Sequence, residues 1–156
     1  MPETSVVLFM YRLRRHGPQV LLAHPGGPVW KNRDDGVWSA PKCDVEPGDD
    51  LLAAGQLHFE EELGIRAVGN FVELKPIKKS GRLTHGWAFC GDCDPTTIKS
   101  RLLSMEWPPG SGKQEEFPEA DRAVFFDLEV AERKINPAQA ELFKELVPLI
   151  RGPSKS

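Results

Sequence analysis

Apolar and β-branched positions come in short blocks separated by glycine- and proline-rich breaks. Residues 4–13 (TSVVLFMYRL) form the first block, and Gly17-Pro18 separates it from residues 19–24 (QVLLAH). This pattern predicts two antiparallel strands. Residues 25–36 mix glycine, proline and charge and predict a loop, and Trp38 with its neighbours predicts a short strand before Pro41. Residues 50–63 predict a helix, with Asp49 or Asp50 capping its first turn and Gly64 closing it in the left-handed conformation. Two more strands are expected over residues 67–78 and 82–90, around the Ser80-Gly81 turn. Residues 95–104 predict a short helix, residues 107–119 (WPPGSGKQEEFPE) a long loop, and residues 122–126 a short buried strand. Asn136-Pro137 is a helix start, with proline at the first helical position. Leu142, Phe143, Leu146 and Ile150 give that helix an apolar stripe, which Pro148 is expected to end or bend. Strands mixed with helices imply an α/β chain, a sheet with helices packed on it.

The 156 residues suffice for one domain with one sizeable core, placed here at residues 1–151, with residues 152–156 a flexible tail. A formal net charge of −3 argues against a partner that is a nucleic acid polymer or an anionic membrane. The start of the chain lacks a basic segment, and the apolar run Val6–Met10 is too short for a signal or a membrane span. Three cysteines, Cys43, Cys90 and Cys93, do not make a disulfide framework, so reduced thiols and a cytoplasmic location are expected. Cys90-Gly-Asp-Cys93 stands alone, without the second pair of ligands that a zinc site needs.

Chemistry concentrates in one stretch, PGDDLLAAGQLHFEEELGI, residues 47–65. A helix turns about 100° per residue, so positions three and four apart share a face. Leu52, Phe59 and Leu63 then form a core-facing stripe, His58, Glu61 and Glu62 form a polar one, and Glu60 points to solvent. Two carboxylates one step apart can be solvated or held together by a cation. Mg²⁺ takes a few carboxylates with water and substrate phosphate, and it serves phosphoryl and nucleotidyl chemistry.

The same stretch resembles the signature box of Nudix hydrolases. With Glu61-Glu62-Leu63-Gly64-Ile65 as anchor, Phe59 falls at the box's apolar position, Asp49 at its first glutamate and Cys43 at its opening glycine. Trp38-Ser39-Ala40-Pro41-Lys42 and Glu46-Pro47-Gly48 also fit. Outside the box, HPGGPVW (residues 24–30), HGWAF (residues 85–89) and MEWPPGSGKQEEFPE (residues 105–119) resemble a bacterial Nudix subfamily. The resemblance implies a Nudix fold, a mixed β-sheet sandwiched between α-helices. It implies a hydrolase that cleaves a phosphoanhydride in a nucleoside diphosphate linked to another moiety, using Mg²⁺ or Mn²⁺.

The box departs from the family in two places that matter. Cys43 replaces the glycine whose carbonyl often touches metal, and its side chain restricts the backbone. The second is the Arg-Glu pair. Leu57-His58 stands where the family has Arg-Glu, the glutamate being a metal ligand and central to catalysis. An imidazole suits Mn²⁺, Co²⁺ or Zn²⁺ better than Mg²⁺, and it can also form an ion pair with its acidic neighbours. The resemblance therefore implies a weakened Mg²⁺ site, with a catalytically impaired nucleotide-binding or regulatory module as the alternative. Its implied metal ligands are Glu61, Glu62, His58 and Cys43, the last through its carbonyl; a changed metal preference, with Cys43 or His58 as softer ligands, is a further alternative. Glu61, Glu62 and His58 also carry the chemistry, joined by an acid from the distant loop. Glu116 is the first choice for that acid, before Glu115 and Glu119. Trp30, Lys31, Arg33 and Lys42 are candidates for binding a base and phosphates. The expected partner is a small nucleotide derivative, and a homodimer is left open. Gly110-Ser-Gly-Lys113 is not a phosphate loop, because Trp107 and Gln114 occupy positions that need glycine and Ser/Thr.

Overall fold

The computed structural model describes residues 3–151; the expected tail, residues 152–156, lies outside them. Strand β1 (Glu3–Arg14) has six consecutive buried residues, Ser5 to Met10. A run buried on both faces belongs at the centre of a sheet. There β1 pairs antiparallel with β2 (Gly17–Pro25) and β3 (Lys42–Val45) along one edge, and parallel with β5 (Arg82–Cys90) along the other. The predicted β1–β2 pairing is thus found. β4 (Phe71–Lys79) and β8 (Ala120–Asp127) complete a mixed six-stranded sheet, ordered β4-β5-β1-β2-β8 with β3 beside β1.

The two faces of β1 divide the core. Val6, Leu8 and Met10 pack with Phe59 and Leu63 of helix α1 (Leu51–Leu63). Val7 and Phe9 point the other way, into Leu142, Phe143 and Leu146 of α3 (Pro137–Arg151) and Leu128 and Ala131 of α2 (Leu128–Lys134). The sheet therefore lies between helices, as expected. In α1, the Asp50 side chain accepts a hydrogen bond from the Ala53 N–H and Gly64 caps the end at φ 69°. Gly55 lets α1 sit close to the sheet, because a Cβ there would lie 2.8 Å from Val6 Cγ1. Leu52 is only partly buried, at the margin of the apolar stripe.

Several expected elements differ. Residues 95–104 hold a single 3₁₀ turn, Pro95–Thr97, and then enter β6 (Leu102–Glu106). The expected loop at 107–119 contains β7 (Gln114–Pro118), which pairs with β6 in a separate two-stranded sheet. Leu102 is 61% exposed, so hydrophobicity here does not mark a core. Trp38 and Ser39 make only isolated bridges, to Ile135 and Ala23, and the regular strand follows Pro41 instead of preceding it. Pro148 does not end α3: burial of Ile150 holds the last turn in place past the missing N–H.

Candidate functional site

His58 and Glu62 are one helical turn apart on α1 and meet directly: His58 Nε2 lies 3.2 Å from Glu62 Oε1. Both side chains are 9% exposed. Glu119, at the junction of β7 and β8, brings Oε2 to 3.5 Å from the same imidazole nitrogen. One ligand-type atom from each of the three residues lies within 4.8 Å of the others. Burial pushes the Glu62 carboxyl up from its ordinary value, with the Glu119 charge adding and the His58 hydrogen bond opposing. Lodging a cation here would relieve the cost of that buried charge.

Glu119 is held by backbone on both sides. Its N–H donates to the Arg101 carbonyl at 3.0 Å and its carbonyl accepts from the Gly26 N–H at 2.9 Å. Its carboxylate accepts from Arg101 Nε at 2.9 Å. Arg101 also reaches Glu61, with Nη1 3.5 Å from Oε2. Adjacent helix positions diverge by about 100°, so Glu61 does not join Glu62. It lies at the rim, 44% exposed, while Glu62 points inward.

Two hollows meet at this cluster. A cavity of about 510 Å³ is walled by His24, Trp30 and Phe117, with Lys42, Glu62 and Glu119 among its polar lining. A second, of about 460 Å³, is lined by Cys43, His58, Glu61 and Arg101. Lys42 and Glu119 belong to both. Trp30 is 38% exposed, and the Arg33 guanidinium sits 5.7 Å from its ring centroid. The backbone at Gly27 passes so close to Phe117 that a Cβ would lie 2.9 Å from the ring.

The structure thus brings together His58, Glu62, Cys43, Lys42 and Trp30 around the two hollows, with Glu61 at the rim. Lys31 and Arg33 line neither hollow. Glu116, the first choice from the sequence, is exposed on β7 opposite Ser104, and Glu115 is exposed opposite Met105; Glu119 takes the position expected of them. The Cys43 thiol turns toward α1, donating to the Ala54 carbonyl at 3.6 Å. Burial, with Asp44 and Glu61 nearby, pushes that thiol's pKa up, away from the thiolate a soft metal would want. Arg101, His24 and Phe117 were not among the candidates. Only the fold connects Arg101 to residues 40 positions earlier and 18 later.

The donor set fits a divalent ion. Neighbouring ligands on an octahedral ion with bonds of about 2.1 Å lie about 3 Å apart, close to the 3.2 and 3.5 Å found here. One nitrogen and two oxygens favour Mn²⁺ or a similar ion over Mg²⁺. No helix among the described residues is long and apolar enough to cross a membrane.

No protein-family model and no curated protein sequence matches the chain. Solved structures do match. The NUDIX domain of Shewanella oneidensis NrtR, complexed with ADP ribose, has a TM-score of 0.63 at 10% identity, covering 94% of this chain and 86% of that one. The Ap4A hydrolase of C. elegans gives 0.58 at 17% identity, covering 94% and 96%. The MutT protein of Bacillus halodurans gives 0.56 at 19% identity, covering 96% and 84%.

Proposed function

From the Nudix fold of this chain, we propose that the protein is a divalent-metal-dependent hydrolase that splits a phosphoanhydride in a nucleoside diphosphate linked to another moiety. The observation that carries this reading is the convergence of His58, Glu62 and Glu119 at the border of two hollows. His58, Glu62 and Glu119 would hold the ion, which when bound neutralises phosphate charge and makes a bound water more acidic. Trp30 and Phe117, on the walls of the larger hollow, offer faces for a base. Lys42, common to both hollows, supplies positive charge where the diphosphate would cross between them. Glu61 is the most accessible carboxylate of the group and has open space beside it for a water. The family's glutamate is absent at position 58, and loss of a positioned base commonly costs about 10²- to 10⁴-fold in rate. Turnover is accordingly slow.

The test is a screen of nucleoside diphosphate derivatives, ADP-ribose and dinucleoside polyphosphates included, with Mg²⁺ and Mn²⁺ in parallel. Product should form faster with Mn²⁺ and disappear in Glu62→Gln. A screen without metal-dependent product defeats the reading. The His58–Glu62 contact, which can persist as an ion pair, favours a second reading: a module that binds the nucleotide without cleaving it. Saturable binding by calorimetry with no product would select it.

A further inference from the structure

We infer that the Arg101 guanidinium stands in for a divalent cation between Glu61 and Glu119, leaving only the His58–Glu62–Glu119 side of the cluster open to an ion. The inference rests on the reading of this cluster as a cation site. Leu57, where the box resemblance expects an arginine, is 62% exposed and carries no charge. Positive charge instead arrives from the segment before β6. Arg101 Nε donates to Glu119 Oε1 at 2.9 Å, and Nη1 lies 3.5 Å from Glu61 Oε2. A guanidinium remains charged at every pH at which the protein is folded, so these two acids carry a permanent counter-charge that no metal need supply.

The backbone fixes the position from which this half-exposed side chain reaches the two acids. The Arg101 N–H donates to the Glu61 carbonyl, and the Lys99 N–H donates to the Leu63 carbonyl, both at 2.9 Å. The segment therefore satisfies carbonyls in the last turn of α1 that a helix end leaves unpaired. On its other side the Arg101 carbonyl accepts from Glu119, and the Ser100 hydroxyl accepts from the Ala120 N–H at 2.9 Å. Residues 99–101 thus tie the end of α1 to the start of β8, with the guanidinium set between carboxylates from the two elements. An arginine held there blocks a second ion by occupying the space and by compensating the charge. It also acts as a positioning residue, aiming Glu119 at His58.

The experiment counts Mn²⁺ bound per chain by electron paramagnetic resonance in the wild type, Arg101→Gln and Arg101→Lys. Arg101→Gln should bind one equivalent more than the wild type, Arg101→Lys should match the wild type, and adding Glu61→Gln to Arg101→Gln should remove the extra equivalent. Equal counts in the wild type and Arg101→Gln overturn the inference. A wild type that binds none beside an Arg101→Gln that binds one defeats the metal-dependent hydrolase while upholding the role of Arg101. If Arg101→Gln is unfolded in chelator, Mn²⁺ should restore its circular dichroism where Na⁺ does not. Failure of Mn²⁺ to restore it also overturns the inference.

Discussion

His58→Glu places a third carboxylate where the imidazole nitrogen now lies 3.2 Å from Glu62 and 3.5 Å from Glu119. The Glu62 and Glu119 side chains are 9% and 20% exposed, so water screens them little. At an effective dielectric of 20, like charges 4 Å apart repel by about 4 kcal/mol. Two such pairs form, and a hydrogen bond to a charged group, worth about 1.5–3 kcal/mol, is lost. Proton uptake and side-chain withdrawal relieve much of this, leaving a net destabilisation of about 3–5 kcal/mol in chelator at pH 8. For a chain of this size each kcal/mol moves Tm by about 2–4 °C, so the melt should fall by about 6–20 °C. Saturating Mg²⁺ or Mn²⁺ should recover most of that loss by binding the folded state alone. The wild type should gain more from Mn²⁺ than from Mg²⁺. Scanning calorimetry in chelator, Mg²⁺ and Mn²⁺ reads all of this. An unchanged midpoint in chelator, or a fall that neither ion reverses, refutes the convergence of these three side chains on one cation.

Three other perturbations probe the surroundings. A Cβ on Gly26 would lie 1.8 Å from the Pro118 carbonyl oxygen. Gly26→Ala should therefore destabilise by about 1–3 kcal/mol in urea melts and weaken Mn²⁺ binding by displacing Glu119; an unaltered Mn²⁺ affinity counts against that path. Because burial raises the folded-state pKa of Glu62 above 4.5, the protonated form favours folding. In chelator, that contribution is fully present below pH 4.5 and lost as pH rises through the raised value, with each pH unit between the two states' midpoints worth about 1.4 kcal/mol. The wild type should thus lose stability relative to Glu62→Gln between pH 4 and 8, and a difference that grows in the wild type's favour contradicts it. Hydrogen bonds from Arg12 and Arg14 hold the exposed Asp92 carboxyl at about 2. Its contribution is present above about pH 3.9 and lost on acidification toward pH 2, so Asp92→Asn and the wild type should converge there; melts that stay apart at pH 2 rule this out.

What the sequence made legible follows from where each signal is local. β1, β2 and α1 combine an apolar period with a breaker or cap at each end, so their positions were readable. The β6–β7 hairpin was not, because Leu102 and Leu103 are both exposed, so no buried alternation marks the strand, and Pro108, Pro109, Gly110 and Gly112 read as loop. α2 follows β8 directly at Asp127-Leu128, with no breaker to mark it. In the site, His58 and Glu62 share one helix, and their spacing alone makes them neighbours. Choosing among Glu115, Glu116 and Glu119 needs the hairpin register, which puts Glu119 just beyond the paired segment. Arg101 reaches the acids only because Lys99 and Arg101 dock on the end of α1, a contact between distant segments with no periodic trace.

The most direct measurement is a Mn²⁺ titration of the metal-free protein followed by electron paramagnetic resonance, with Glu62→Gln alongside. One bound equivalent in the wild type, weakened by about tenfold or more in a folded Glu62→Gln, is the expected result. A wild type that leaves all Mn²⁺ free, or a variant that binds as tightly as the wild type, contradicts a cation site built from His58, Glu62 and Glu119.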